Sequence, residues 1–492
     1  MQRSTNEISN GNGKRLPWST IIGFGQLAVP LATAGLPIAV YVTRFYAQDL
    51  KINIEDVGFI LLIARLADFL VDPIIGYVSD HTRWGFGRRR TWVLLGAPVF
   101  ALGVYMLFLP SPSLMDEPPD ARRFYLLLWI AVFYLGWTMI TIPYGAWGAE
   151  LSNDYNERSR ITGVREIFTL LGLALAGIIP VVMGNGTAEA ASAGPAATSL
   201  WEVMTVLGLT IVALTPIGLV ILWLTSPEPP VKEMHRISFW KGIKAAATNW
   251  PFVRLFFATV GVRMGSRAVE GLLIFYLVDA AGFLEQDARG ALLALLVSAI
   301  VFAPFWIWAG RAWTKHRALS IAITSGVAVF CVLPFIQTTG FWANMAAFAA
   351  LGAAFSAPFT LGQSIAADVI DLDSLKTRQP RAGLLISFFG LAIKGADALG
   401  VGLALIAVGL LGYDSSAAVK TPEAIQVLTA VYVLFPIVFW LPAIALLWNF
   451  PITPAVQRRI RRLIERRIRI EENVRRRRQA AQSRAQAVQT RK

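Results

Sequence analysis

The sequence predicts an all-α polytopic membrane protein of twelve transmembrane helices in two six-helix bundles. Composition is the first observation: the 492 residues are 55% hydrophobic and 15% charged, with a mean hydropathy of +0.55. Soluble domains carry about 25% charged residues. Spacing is the second. A helix needs about 20 mainly apolar residues to cross hydrocarbon. Twelve such runs follow one another, near 18–46, 56–79, 91–110, 123–149, 161–184, 200–225, 251–281, 288–310, 317–338, 341–368, 382–412 and 424–450. Repetition is the third. Asp80, His81, Arg83 and Arg88 to Arg90 follow the second run much as Arg311, Lys315, His316 and Arg317 follow the eighth. Glu150, Asp154, Glu157 and Arg160 follow the fourth run as Asp368, Asp371, Asp373 and Arg378 follow the tenth. Repeated halves of this kind place transport sites near the midplane between them.

The chain divides accordingly. Residues 1–17 form a polar N-terminus that leads into a full-length span rather than a cleavable signal. Residues 18–225 form the first bundle, 226–250 a polar middle loop with an amphipathic segment near Phe239–Ala246, 251–450 the second bundle, and 451–492 a basic tail. Of the 45 Lys and Arg, the loops expected outside hold only Lys51, Arg122, Arg123, Arg289 and Lys420, and seven lie in the spans. The rest face the side that holds both termini, so the positive-inside rule makes that side cytoplasmic. The basic balance therefore needs no nucleic-acid partner. An integral protein of a bacterial inner membrane, acting as a monomer, is the expectation. The tail holds 14 basic and three acidic residues, or +11 of the chain's +14. Ile460, Ile464 and Ile468 recur among its arginines at helical spacing. Such a segment suits a helix lying on anionic lipid, and equally a solvated tail that fixes topology. The single cysteine, Cys331, excludes a disulfide framework and reads as a small buried apolar residue.

Charges inside spans carry the functional argument, because each costs about 2.5–3.5 kcal/mol on insertion scales and so marks a site with a partner. The second span reads Arg65-Leu-Ala-Asp68-Phe-Leu-Val-Asp72-Pro73. Positions 65, 68 and 72 share one helical face. Two carboxylates one turn apart repel unless a cation or proton sits between them. Arg65 is expected to offset one negative charge and leave the other to a movable ion, the requirement of a coupling site. The rival reading is a structural ion cluster. In the eleventh span Lys394 stands amid apolar residues with Asp397 one turn on, placed to reach a span-2 carboxylate. Arg165 and Glu166 open the fifth span, and the seventh holds Arg263, Arg267 and Glu270. There an anion-binding role and a self-neutralising pair with one snorkelling arginine stand side by side. Arg44 and Arg254, near span ends, read as snorkelling anchors. All three histidines fall in loops beside basic residues, which argues against a metal site, and no GxxxxGK[ST] phosphate loop is present. No enzyme and no resident cofactor is expected.

The stretch GYVSDHTRWGFGRRR (76–90) resembles the loop signature of the major facilitator superfamily. RLADFLVDPIIGYVSDHTR resembles the R-x-x-D-x-x-x-D-P hallmark of the glycoside-pentoside-hexuronide:cation symporters, the family typified by melibiose permease. ITIPYGAWGAELSNDYNERSRITGVREIF (140–168), and AADVIDLDSLKTRQPRAG (366–383) followed by Lys394, are similar to that family's other blocks. The likeness spans both halves. It implies a major-facilitator fold and symport by alternating access. It makes Asp68, Asp72 and Thr138 the ligands of a co-transported H⁺ or Na⁺. It also makes Arg65 and Lys394 the coupling residues, and Arg165 a substrate contact.

The departures concern the substrate. The family's sugar-binding aspartates fall at Pro30 and Thr141, its sugar-side tryptophan at Gly145, and an asparagine before the second cation acid at Val71. Sugar hydroxyls want paired acceptors, so this loss removes most of the galactoside grip. Family members in animals that carry lysophosphatidylcholine share the coupling acids and the lysine. The expected solute is therefore a sugar, glycoside, uronide or related small molecule, with a lysolipid-like amphiphile or a transport-dead sensor or scaffold as alternatives. Thr141, Gly145, Arg165, Arg263 and Arg267 are the expected substrate-side residues. Arg165, with no assigned partner, favours an acidic or zwitterionic solute over a neutral disaccharide; the competing reading is that it pairs with Glu166 or another helix's acid and touches no ligand. Val71 offers no oxygen, which leans the coupling ion toward H⁺.

Overall fold

In the computed structural model, the structure describes residues 15–82, 84, 87–152, 155–185, 199–228, 246–336, 339–377, 382–417, 419–460, 462–464 and 466. The amphipathic segment expected in the middle loop and the tail beyond residue 466 lie outside them. Among the described residues thirteen α-helices build twelve spans. The first span is made of α1 (Trp18–Gly25) and α2 (Ala28–Arg44). Pro30 divides them, because it has no N–H for the Gln26 carbonyl and its ring crowds that oxygen. The Gln26 side chain ties the break to α7 by donating to the Gly218 carbonyl at 2.6 Å. The remaining spans are α3 (Ile54–His81), α4 (Arg88–Phe108), α5 (Pro119–Glu150), α6 (Tyr155–Asn185), α7 (Leu200–Thr225), α8 (Trp250–Phe275), α9 (Glu285–Ala312), α10 (Lys315–Ile336), α11 (Phe341–Thr377), α12 (Ala382–Leu410) and α13 (Pro422–Trp448). Local chemistry sets several starts. A Ser199–Glu202 capping box opens α7, and the Thr421 hydroxyl accepts from the Ala424 amide at the start of α13.

The two halves pack alike. In the first, α2 lies on α6 and α7, α4 on α5 and α7, and α3 on α5. Shifting each span by six gives the second half: α8 on α12 and α13, α10 on α11 and α13, and α9 on α11. Even the π-helical turns correspond, Phe45–Asp49 closing the first span and Tyr276–Ala280 the seventh. Across the halves α3 meets α12, α6 meets α9, and α2 meets α8. The echo read in the loops is an echo of contacts. Arg88 and Arg89, opening the third span, pair with Glu150 at the end of the fourth at 2.9 and 2.7 Å. Lys315, opening the ninth, pairs with Asp368 near the end of the tenth at 2.6 Å.

Among the described residues ten spans are long and apolar enough to cross a membrane. The two that miss that standard, α3 and α8, carry most of the mid-span charge. Each also meets the other half, α3 through α12 and α8 through α2.

The halves touch at the end opposite the termini. Gly58 of α3 lies against the backbone of Gly402 and Ile406 on α12, where a Cβ would clash. Gly177 of α6 lies against Leu293 and Leu296 of α9. Ion pairs reinforce this far end. Arg44 is 2% exposed and its guanidinium reaches Glu285 at 3.3 Å and Asp279 at 3.8 Å. Gln48 and Tyr413 donate to the same Asp279 carboxylate. Arg44 is therefore an interhelical staple, not the snorkelling anchor its span-end position suggests. Arg254 is not an anchor either: its guanidinium caps α13 by donating to the Leu446 and Asn449 carbonyls, as a cation at a helix C-terminus does. Cys331 is exposed on α10 rather than buried, because in a span the apolar outer face suits a thiol as well as the core does.

Candidate cation site and the charges around it

Asp68 and Asp72 sit mid-way along α3, one turn apart, and are 5% and 8% exposed. Thr138, fully buried on α5, lies between them, its hydroxyl 2.5 Å from Asp68 Oδ1 and 3.0 Å from Asp72 Oδ1. One hydroxyl carries one proton and can satisfy only one of these carboxylate oxygens fully. Three oxygens from two helices therefore converge with fewer protons than acceptors, the donor set a hard cation or an extra proton completes. On the opposite side Lys394 of α12 closes the cluster, its Nζ 2.5 Å from Asp72 Oδ2 and 3.3 Å from Asp68 Oδ2. The lysine side chain remains 27% exposed. It joins the two halves at mid-depth, and it competes for the carboxylates with whatever binds on the Thr138 side.

Among the described residues Arg65 makes no direct ion pair with the acids. Its guanidinium lies over the Tyr134 ring, 4.2 Å from the centroid, in a small cleft shared with Arg267 and Asp397. Tyr134 takes the guanidinium by cation–π attraction, and the compact ammonium of Lys394 takes the carboxylates instead. Arg165 also departs from expectation. It is paired with its neighbour Glu166 at 3.1 Å, and the two side chains are 32% and 58% exposed. That pair with Glu166 is the alternative to a substrate contact, and in this structure it engages the guanidinium.

Arg263 and Arg267 face the interior of the second half but are not free to grip an anion. Arg263 makes a bidentate contact to Asp397 at 2.8 and 2.6 Å. Arg267 pairs with Asp397 at 3.2 Å and with Glu270. Two cations and two anions form a closed set, so the self-neutralising alternative holds and extends to both arginines. Asp397 is the residue that sequence reasoning undervalued. Its i, i+3 spacing from Lys394 places both on α12, yet one turns to α3 and the other to α8.

Thr141 and Gly145 stand one and two turns beyond Thr138 on the same face of α5. Both are half-buried. A side chain at Gly145 would meet nothing within 4 Å. The backbone is therefore open at the position where the family's tryptophan begins. In the second half a cavity of about 260 Å³ lies between α8, α11 and α12, walled mainly by Leu255, Val262, Phe359 and Ile393, with Arg263 and Gln363 as polar members.

This fold and this mid-membrane cluster define a membrane transporter of the major facilitator type, not an enzyme. The family described as MFS/sugar transport protein matches residues 21–454, and the chain belongs to it. It is 24% identical over 435 residues to the sodium-dependent lysophosphatidylcholine symporter 1-A of Danio rerio, covering 82% of this chain and 80% of that one. It is 23% identical over 447 residues to the glucuronide carrier protein homolog of Escherichia coli, covering 89% and 94%. Among solved structures, the nucleoside transporter NupG superposes with a TM-score of 0.62 at 14% identity, over 87% of this chain and 98% of that one. A bacterial homolog of the lysosomal transporter Spinster gives 0.62 at 14%, over 90% and 100%.

Proposed function

We propose that the protein is a secondary active symporter. A cation, H⁺ or Na⁺, binds at Asp68, Asp72 and Thr138 and drives a small solute through a central cavity by alternating access. The observation that carries this reading is the competition at the two carboxylates. Lys394 holds their Oδ2 atoms, and Thr138 stands at their Oδ1 atoms. A cation arriving on the Thr138 side weakens the hold of Lys394 and frees its ammonium toward the cavity. Ion occupancy thereby alters a contact between the halves, and this differential binding shifts the population of states. The sodium-dependent symporters among the relatives support a coupling cation. With the termini on the cytoplasmic side, the contacts that join the halves at the far end suit an inward-open carrier.

The solute is a glycoside, uronide or related small molecule. The glucuronide carrier homolog supports that class, while the loss of both sugar-binding carboxylates, at Pro30 and Thr141, tells against neutral disaccharides. An amphiphile is the second reading. The apolar cavity beside Arg263 favours it, since such a space accepts an apolar arm more readily than water.

The test needs no known solute. Thermal stability of the purified full-length protein is titrated with NaCl at pH 8 and with protons from pH 8 to 5. One of the two should stabilise it, and Asp72→Asn and Asp68→Asn should each abolish the response. Stabilisation that persists in both variants would remove the cation site from these residues.

A further inference from the structure

The mid-membrane charges of this chain cancel. Among the described residues, the parts of the spans away from the helix ends hold Arg65, Arg165, Arg263, Arg267 and Lys394 against Asp68, Asp72, Glu166, Glu270 and Asp397. Asp368 pairs with Lys315 at the first residue of α10 and belongs to the terminal face. The pairings divide the ten charges into groups. Arg165 with Glu166 is neutral. Arg263 and Arg267 with Asp397 and Glu270 are neutral. Asp68 and Asp72 with Lys394 carry −1. Arg65, beside Tyr134 and with no ion pair to an acid, supplies the compensating +1 from the same helix.

The empty carrier thus already has a balanced centre, and a single added cation unbalances it. Whether Na⁺ or a proton enters at Asp68 and Asp72, the centre then bears +1 in a low-dielectric interior. An unpaired buried charge there is strongly disfavoured. Lys394 is the most exposed member of its cluster, so the excess positive charge is presented to the cavity.

We propose that the co-transported solute is a monoanion, taken up with one cation so that the loaded centre is neutral and the cycle moves no net charge. The proposal rests on the reading of Asp68, Asp72 and Thr138 as the cation site, and it adds the charge of the substrate. A zwitterion or a neutral glycoside leaves the +1 uncompensated. A dianion overshoots by the same amount. Arg165 takes no part.

The test uses purified full-length protein and matched probes. These are methyl glucuronide against methyl glucoside, and lysophosphatidylglycerol against lysophosphatidylcholine of the same acyl chain. Affinity is measured by ligand-induced stabilisation with and without the stabilising cation. In one pair at least, the monoanion should bind about tenfold or more tighter than its partner, and only with the cation present. Arg65→Gln removes the compensating charge without breaking an ion pair. It should tighten cation binding and bring the anion-to-neutral ratio toward one. Reconstituted with the anion that binds, the wild type should accumulate it without a substrate-induced current. A neutral probe that equals its anion, no anion binding in either pair, or an unchanged ratio in Arg65→Gln each overturns the proposal. The Asp72→Asn cation response is scored separately, so a sound cation site with a failed probe panel sinks the substrate charge alone.

Discussion

The far-end staple should set how often the carrier opens away from the termini, and Asp279→Asn tests it most directly. Asp279 receives Arg44 at 3.8 Å, with side chains 9% and 3% exposed, and also accepts from Gln48 at 3.3 Å and from Tyr413. Removing one partner of a fully buried pair costs about 3–5 kcal/mol. Here Arg44 keeps Glu285 at 3.3 Å, and the 3.8 Å contact is a loose one. The part that biases the conformational equilibrium is therefore about 1–3 kcal/mol, or 5- to 150-fold in population. Glu285 is 37% exposed, so Glu285→Gln should shift the population less, by about 0.2–1 kcal/mol. Ser415 is a suitable reporter, being 4% exposed with its hydroxyl directed at the Ala47 carbonyl across the seal. In a Cys331→Ser background, Ser415→Cys should react slowly with a maleimide, and Asp279→Asn should accelerate the reaction by about the stated factor. An unchanged labelling rate with a lowered melting temperature would mean that the network staples the fold and does not gate it.

Three further outcomes are expected. Val71→Asn restores an amide oxygen beside Asp72, so it should move the cation response from protons toward Na⁺; a wild type stabilised by Na⁺ and indifferent to pH would refute the lean toward H⁺. Thr138→Val removes the one hydroxyl shared by both carboxylates, at the cost of about 1–3 kcal/mol for buried acceptors left unsatisfied, and it should weaken cation binding by about tenfold or more while leaving the fold intact, as melting without cation will show. Arg165→Ala breaks only an exposed pair, worth about 0–1 kcal/mol, so solute affinity should change by less than about fivefold; a larger loss would return Arg165 to the substrate site.

The sequence made the architecture legible because lipid imposes a single length scale on every span. Apolar runs of the right length, repeated six and six, left little freedom. Asp68, Asp72, Thr138 and Lys394 were legible for two reasons. The acids share a face of one helix and Lys394 is a lone cation in an apolar span, while a family likeness located the threonine. What could not be read was partner choice between helices distant in the chain. Arg65 lies three residues from Asp68, yet it goes to Tyr134, an aromatic on α5 that no spacing rule joins to α3. Arg44 looked like a terminal anchor because Asp279, its buried partner, lies far along the chain. The sequence leaves Arg165 two readings, a substrate contact or a pair with Glu166, because adjacent residues do not share a helical face. The contact forms all the same, since both side chains are long and partly exposed.

Charge and helix contacts explain one another in this molecule. Hydropathy alone marks α3 and α8 as poor spans, and both are held where lipid does not reach their charges. α12 lies against each of them, with Lys394 turned to the acids of α3 and Asp397 to the arginines of α8. Neither α3 nor α8 could insert alone at modest cost, because each brings uncompensated charge. α12 brings one charge of each sign, three residues apart, and completes both sets. It follows that Lys394 and Asp397 are not interchangeable with polar residues for the same reason. Asp397→Asn leaves two arginines to share Glu270, which should lower thermal stability and protein yield. Lys394→Gln leaves two carboxylates with Thr138 alone, which should raise cation affinity while uncoupling it from movement of the halves. Melting temperature and cation titration of the two purified variants separate these outcomes. If Lys394→Gln lowered cation affinity, the lysine would be a partner in binding rather than the competitor that the geometry describes.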